Sequence, residues 1–367
     1  MNQQLIVKSE TSRRLLALNA LRGLAVIGMY VQHFALNEWN NFVSGNTMIL
    51  FILCSGISYS MMLQGMLHRG TTPQALRARV LARTVFIDFA GYLILMFNGP
   101  FGVVLQAYAM LFVLALPLRK CSVKMLTVLS AAAFIVCPPL MLIGMSLFEG
   151  IALLSDIAGG PLSALAWLPV FMVGMIAGRL DLHKTITMTR LSIIGAGIMI
   201  PVKLFSLFLL PTIYDLFCNW LAHHSAVVAM PDPYAVWPKN TLPPMWQMLF
   251  LDAAQGGSAF ELLIGTGGSL MLLALFLFLE RNASALLSPF AKVGKVSLTL
   301  YCIQFLFAWI LMLSNADPTS LAQFPMGDVV ILICVLTIGQ LLSLFKNGPL
   351  EWVIRQFECL FYSERRR

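Results

Sequence analysis

Ten stretches of this chain, near residues 15–38, 47–67, 80–98, 101–118, 125–148, 161–179, 190–212, 259–280, 292–314 and 327–345, are long, apolar and poor in charge. No other feature restricts the fold as strongly. In hydrocarbon a backbone N–H or C=O has no water to bond, so a spanning segment must close its own hydrogen bonds, which about 20 apolar residues do as a helix. The pattern predicts an all-α polytopic membrane protein: residues 1–367 as a single domain, one bundle of about ten transmembrane helices. Composition agrees, with 59% hydrophobic and 11% charged residues, where a soluble domain carries roughly 25% charged.

The formal net charge of +8 invites a nucleic-acid reading, but the placement of the charges argues against it. Of the 24 Lys and Arg residues, Arg22 and Lys203 fall inside apolar runs and Lys239 in a loop; the rest share one side if the helices alternate from a cytoplasmic N-terminus. By the positive-inside rule both termini are then cytoplasmic, and the bilayer rather than nucleic acid is the expected partner. The first apolar run is too long for a signal-peptide core and is expected to be a retained helix. The seven cysteines show no CxxC spacing, so neither a disulfide framework nor a metal site is expected. Phosphate-loop, dinucleotide and nucleophile-elbow patterns are missing as well.

One long connection, at about residues 213–258, interrupts the bundle on the outer side. Its Trp220, Tyr234, Trp237 and Trp246 suit the membrane interface, and its prolines disfavour a long helix. An interfacial cover and an acceptor-binding lid are both open readings. Kinks are expected where Pro138 and Pro139 interrupt the fifth run and where Pro201 interrupts the seventh, two residues before Lys203. Lys203 either snorkels outward or faces a cavity. His223 and His224 are adjacent, project apart on a helix, and do not suggest a metal site by themselves.

The first run carries two polar residues of its own. Arg22 and His33 are eleven residues apart, which at about 100° per residue returns them to within about 20° of one stripe, about 16 Å apart along the axis. Charged groups are costly in lipid, so that stripe is expected to face the bundle interior or a hydrated tunnel. An arginine fork near the inner leaflet suits a donor phosphate, and a neutral imidazole further out can take a proton from a hydroxyl or amine.

The stretches "LNALRGLAVIGMYVQH" and "LFILCSGISYSMM", with Arg22, His33 and Gly56, resemble the start of integral-membrane acyltransferases, a group that includes the acyltransferase-3 membrane O-acyltransferases. "LQAYAMLFVLALPLRK", "WLPVFMVGMIAGRLDL", "VGKVSLTLYCIQ" and "NGPLEWVIRQF" narrow the likeness to the YeiB-like branch, related to heparan-α-glucosaminide N-acetyltransferase. The resemblance spans nearly the whole chain apart from 213–258. It implies a bacterial inner-membrane enzyme that moves an acyl group, acetyl above all, from cytoplasmic acyl-CoA to a glycan or small-molecule acceptor at the outer face. Acetyl-CoA or another acyl-CoA would be the donor, without a metal, and self-association is left open. Arg22 would help hold the donor and His33 would act as base. Gln106 matches a glutamine of the heparan-α-glucosaminide group, and Gln304 lies on the family's "SLTLYCIQ" segment; either would help stabilise the oxyanion, though helix–helix bonding accounts for both as well. Ser297 and Tyr301 are candidates for lining the donor site.

A transporter or exporter using the same stripe as a permeation path is the rival reading. Against it stand the lack of an evident inverted repeat and of paired broken helices.

Overall fold

The computed structural model describes residues 2–97, 99, 101–148, 150–224, 245–345 and 348–361, with side chains from Leu16 onward. Tyr234, Trp237, Lys239 and Asn347 lie outside the described residues. The elements are α1 (Asn2–Phe34), α2 (Asn46–His68), α3 (Pro73–Leu95), α4 (Leu105–Leu118), α5 (Val123–Leu147), α6 (Ala152–Ala158), α7 (Ala164–Ala177), α8 (Thr185–Phe208), α9 (Leu210–His224), α10 (Ala259–Asn282), α11 (Ser284–Lys295), α12 (Ser297–Leu313), α13 (Gly327–Leu342) and α14 (Pro349–Phe361). Short 3-10 turns intervene, and no strand forms among the described residues.

All ten apolar runs fall on helices, but their lengths diverge from the expectation. Among the described residues, four segments are long and apolar enough to cross a membrane: Asn41–His68, Val123–Leu147, Thr185–Phe208 and Ala259–Asn282. The run at 292–314 is broken instead, α11 and α12 meeting at a 64° bend that counts at most as a fifth span. The runs at 101–118, 161–179 and 327–345 form the shorter apolar helices α4, α7 and α13. α5 contains Pro138 and Pro139, and α8 contains Pro201, each inside one continuous helix. The insertion begins with a helix: α9 covers residues 213–224 of it and shows Trp220 exposed.

Helix starts follow local chemistry. The Thr72 hydroxyl accepts from the Ala75 N–H ahead of α3, with Pro73 in the first turn, and Ser122 does the same for Met125 ahead of α5. Such caps satisfy N–H groups that no earlier turn can reach.

Glycines set the crossings. α1 lies against α11, and α2 against α7. A Cβ on Gly294 would run into the Asn19 carbonyl, and one on Gly23 into the Phe290 carbonyl; Gly56 and Gly174 hold the second pair equally close. Small residues permit this backbone approach, which in lipid replaces the missing hydrophobic drive between helices. The interior is filled by Trp167, Tyr59, Phe34, Phe171 and Phe305. α2 is central, whereas α8 buries only Met188, Leu191, Gly195 and Ser206 and turns Ile193, Ile194, Leu204 and Leu207 outward.

The closing "GPLEW" motif has a structural task. The Glu351 carboxylate accepts from the Leu298 N–H at 2.7 Å, the Thr299 N–H at 3.1 Å and the Thr299 hydroxyl at 2.6 Å. That hydroxyl in turn accepts from the Leu350 N–H at 3.1 Å, so α14 caps α12 immediately after the bend. The far end of α14 is tied to α3, where Arg79 Nε and Arg83 Nε bond the Glu358 carboxylate at 2.9 and 2.6 Å.

Candidate functional site

A cavity of about 930 Å³ opens between the end of α1, α8, α10, α12 and the segment 251–255. His33, in the last turn of α1, forms part of its wall. The imidazole stacks on Phe101 with ring centroids 4.1 Å apart and planes 5° from parallel, and Phe305 meets it edge-on at 6.1 Å. Its Nδ1 is buried and has no hydrogen-bond partner among the described residues. The Gln304 carboxamide approaches the ring without completing a hydrogen bond of ordinary geometry. The ring is thus oriented by packing, with hydrogen-bonding capacity left over.

Of the other residues expected from the sequence, Tyr301 lines the cavity, and its hydroxyl accepts from the Val104 N–H at 3.0 Å. Gln304 is buried beside it on α12. Gln106 is fully buried against Gly91 of α3, its amide atoms without partners, and does not line the cavity. Arg22 is half-buried eleven residues back along α1 and outside the lining. Ser297 opens α12, where the amides that could hold a phosphate already face the Glu351 carboxylate. The structure therefore brings His33 and Tyr301 to the cavity wall, sets Gln304 against the His33 ring but outside the lining, and leaves Arg22, Ser297 and Gln106 apart from that group.

The opposite wall carries charges that the apolar pattern does not reveal. Lys203 faces the cavity and bonds Asp252 at 2.7 Å, with the Ser206 hydroxyl donating to the same carboxylate oxygen at 2.6 Å. Glu261 also lines the cavity and accepts from the Gln255 N–H at 2.5 Å and the Gly257 N–H at 2.8 Å. Its own N–H donates to the Ser258 hydroxyl at 3.1 Å, and that hydroxyl donates to the Leu251 carbonyl. Glu261 so fastens 251–257 onto the start of α10. Gly45, at φ +72°, packs against the same carboxylate where a side chain would clash. The end of the insertion is thereby part of the site. His223 and His224 are not: each Nδ1 engages a carbonyl of α9, Asn219 and Trp220 respectively.

Burial pushes the Asp252 carboxyl up, but the bonds from Lys203 and Ser206 outweigh it and hold the group below the usual carboxylate range. A depressed folded pKa adds stability above the unfolded value of about 3.9 and loses it as pH falls through the lower folded value. Asp252→Asn is expected to flatten the acid side of the stability curve, and thermal unfolding in lipid nanodiscs between about pH 3 and about pH 7 measures it. An unchanged acid limb would mean that the pair contributes nothing.

Residues 224–360 are similar to a family described as a protein of unknown function (DUF418). The DUF418-like part runs from the end of α9 to α14 and contains Asp252, Glu261, Tyr301, Gln304 and Glu351; His33 and Lys203 come from the chain before it. No curated protein and no solved structure matches the chain.

Proposed function

We propose that this protein is an acyl-CoA-dependent acyltransferase of the YeiB-like kind, embedded in a bacterial inner membrane by about ten helices with both termini cytoplasmic. The DUF418 match is compatible with that family. The observation that carries the reading is His33: an imidazole held by aromatic stacking in the wall of a large cavity of mixed polar and apolar lining, its buried Nδ1 without a hydrogen-bond partner among the described residues. In the proposed reaction the acceptor's hydroxyl or amine attacks the thioester carbonyl while His33 takes its proton. The C–S bond breaks, and the imidazolium returns the proton to the leaving CoA thiolate. Gln304, which abuts the His33 ring, would donate to the developing oxyanion. The close α1–α11 crossing joins the backbones at Gly23 and Gly294, and Arg22 of α1 with Lys292 and Lys295 of α11 would supply the cations for the donor phosphates.

The test is release of CoA from labelled acetyl-CoA by the protein in nanodiscs, with donor binding measured in parallel. Saturable binding and turnover are expected; a folded protein that binds no CoA would overturn the proposal. One observation favours transport instead, the 64° break between α11 and α12, since broken helices mark many transporter sites. The Glu351 carboxylate occupies that break, which leaves less for a permeant ion or solute there. A transporter of an unrelated solute would not bind CoA.

A further inference from the structure

A second cavity lies on the other side of the loop that joins α1 to α2. It measures about 310 Å³ and is walled by Ile27 and Val31 of α1, Leu50 of α2, Leu272 of α10 and Leu332 of α13, with Asp328 and Asn40 as minor polar contributions. Phe42 and Asn46 line both cavities, so the apolar space and the His33 cavity share a wall. The same wall is crossed by a side-chain bond: the hydroxyl of Thr47, on the apolar side, donates to Gln32 Oε1, on the polar side, at 3.4 Å. The wall is irregular, a 3-10 turn over Asn41–Val43 in which Phe42 is largely exposed.

Two open spaces that adjoin along one rim, Phe42 and Asn46, one mainly apolar and one lined by polar groups, suit a molecule built the same way whose middle lies over that rim. The polar side also limits the head. Its charges are spoken for, Lys203 by Asp252 and Glu261 by backbone N–H groups. The other polar groups beside His33 are neutral: Asn41 and Ser44, with Gln32 and Asn46, whose Oε1 and Nδ2 already engage Thr47 and the Phe42 carbonyl and leave their second amide atoms for a ligand. Neutral donors and acceptors suit a polyhydroxyl head, and apolar walls, from buried Ile27, Val31 and Leu50 to half-buried Leu272 and Leu332, suit a hydrocarbon chain.

We infer that the paired cavities bind a single-chain amphiphile with an uncharged polyol head, its chain in the apolar pocket and its head beside His33. This rests on the acyltransfer reading only for what His33 does to the head, not for the binding itself. The acceptor then reaches the site from within the bilayer, and the chain fixes which hydroxyl meets the imidazole.

Dodecyl glucoside with a photoactivatable diazirine, at the chain end in one probe and on the sugar in another, tests this in phosphatidylcholine nanodiscs. Chain-end adducts are expected on Ile27, Val31, Leu50, Leu272 or Leu332, and sugar adducts on Gln32, Leu36 or Phe42. Unlabelled dodecyl glucoside should reduce both at least about tenfold. Leu332→Trp, which fills the apolar pocket, should lower both; if that variant does not fold, Val329→Trp at the rim takes its place. Chain-end adducts spread over outward residues such as Ile193 and Leu204, sugar adducts outside the His33 cavity, or equal pocket labelling by a diazirine phosphatidylcholine that dodecyl glucoside does not displace would each overturn the inference. Because crosslinking needs no turnover, a protein that binds the probes as expected but transfers no acetyl group would overturn the acyltransferase proposal alone.

Discussion

His33→Ala is expected to remove acyl transfer by about 10²–10⁴-fold, the range that a positioned general base contributes, while donor binding and folding persist. The structure separates these effects. His33 stacks on Phe101 at the cavity wall, so truncating it enlarges an existing space and opens no closed core, and its free Nδ1 means no structural hydrogen bond at that atom is lost. Arg22, the expected donor contact, lies outside the lining and is untouched by the change. The fall should therefore appear in kcat with the KM for acyl-CoA nearly constant, the pattern of an interaction made in the transition state. His33→Gln, which keeps polar bulk without a base, should be as inactive, and added imidazole should restore part of the His33→Ala rate. A merely structural histidine predicts the reverse: loss of thermal stability, a normal rate in the folded fraction and no response to imidazole.

The helices were legible because each is written locally, as a run of apolar residues long enough to close its own backbone bonds. Their ends were not. α7 is only 14 residues long, lying between Ser163 and Gly178, and α4, of the same length, stops just after Pro117, so two runs that satisfy a hydropathy window are short as helices. The break before α12 is likewise tertiary: it is held by Glu351, and 52 residues separate Glu351 from Thr299. His33 stood out as a polar residue in an apolar stretch and does line the cavity, and Tyr301 with it. Arg22 shares its helix stripe but not its cavity, because a stripe fixes azimuth and says nothing of where the neighbouring helices part. Asp252 escaped notice since its partner Lys203 is 49 residues away. Glu261 was readable in principle: Ser258 and Glu261 have the S-x-x-E spacing of a capping box, although its carboxylate turns back to Gln255 and Gly257.

Gly294→Ala is expected to be among the most damaging single-methyl changes in the chain. The added carbon would meet the Asn19 carbonyl oxygen and would stand 2.7 Å from its carbon and 3.0 Å from the Gly23 nitrogen. All three are main-chain atoms of α1, so no rotamer change relieves the clash and the helices must separate. Separation would loosen the cluster of Val26, Ile27, Val293, Val296 and Ile331 packed around this crossing, and would shift both ends of the site, His33 on α1 and Tyr301 beyond the bend. Overpacking typically costs about 1–3 kcal/mol and sometimes more; with rigid backbone on both sides, the upper end or beyond is the expected value. Gly65→Ala in α2 and Gly197→Ala in α8 are the controls, because nothing stands within 4 Å of the new methyl at either position. There the helix gains about 0.5–1 kcal/mol from losing a glycine. Melting temperatures in one nanodisc composition should therefore move in opposite directions, down for Gly294→Ala and level or up for the controls. If all three move together, helix propensity rather than the α1–α11 contact governs these positions, and the close crossing does not hold the bundle together.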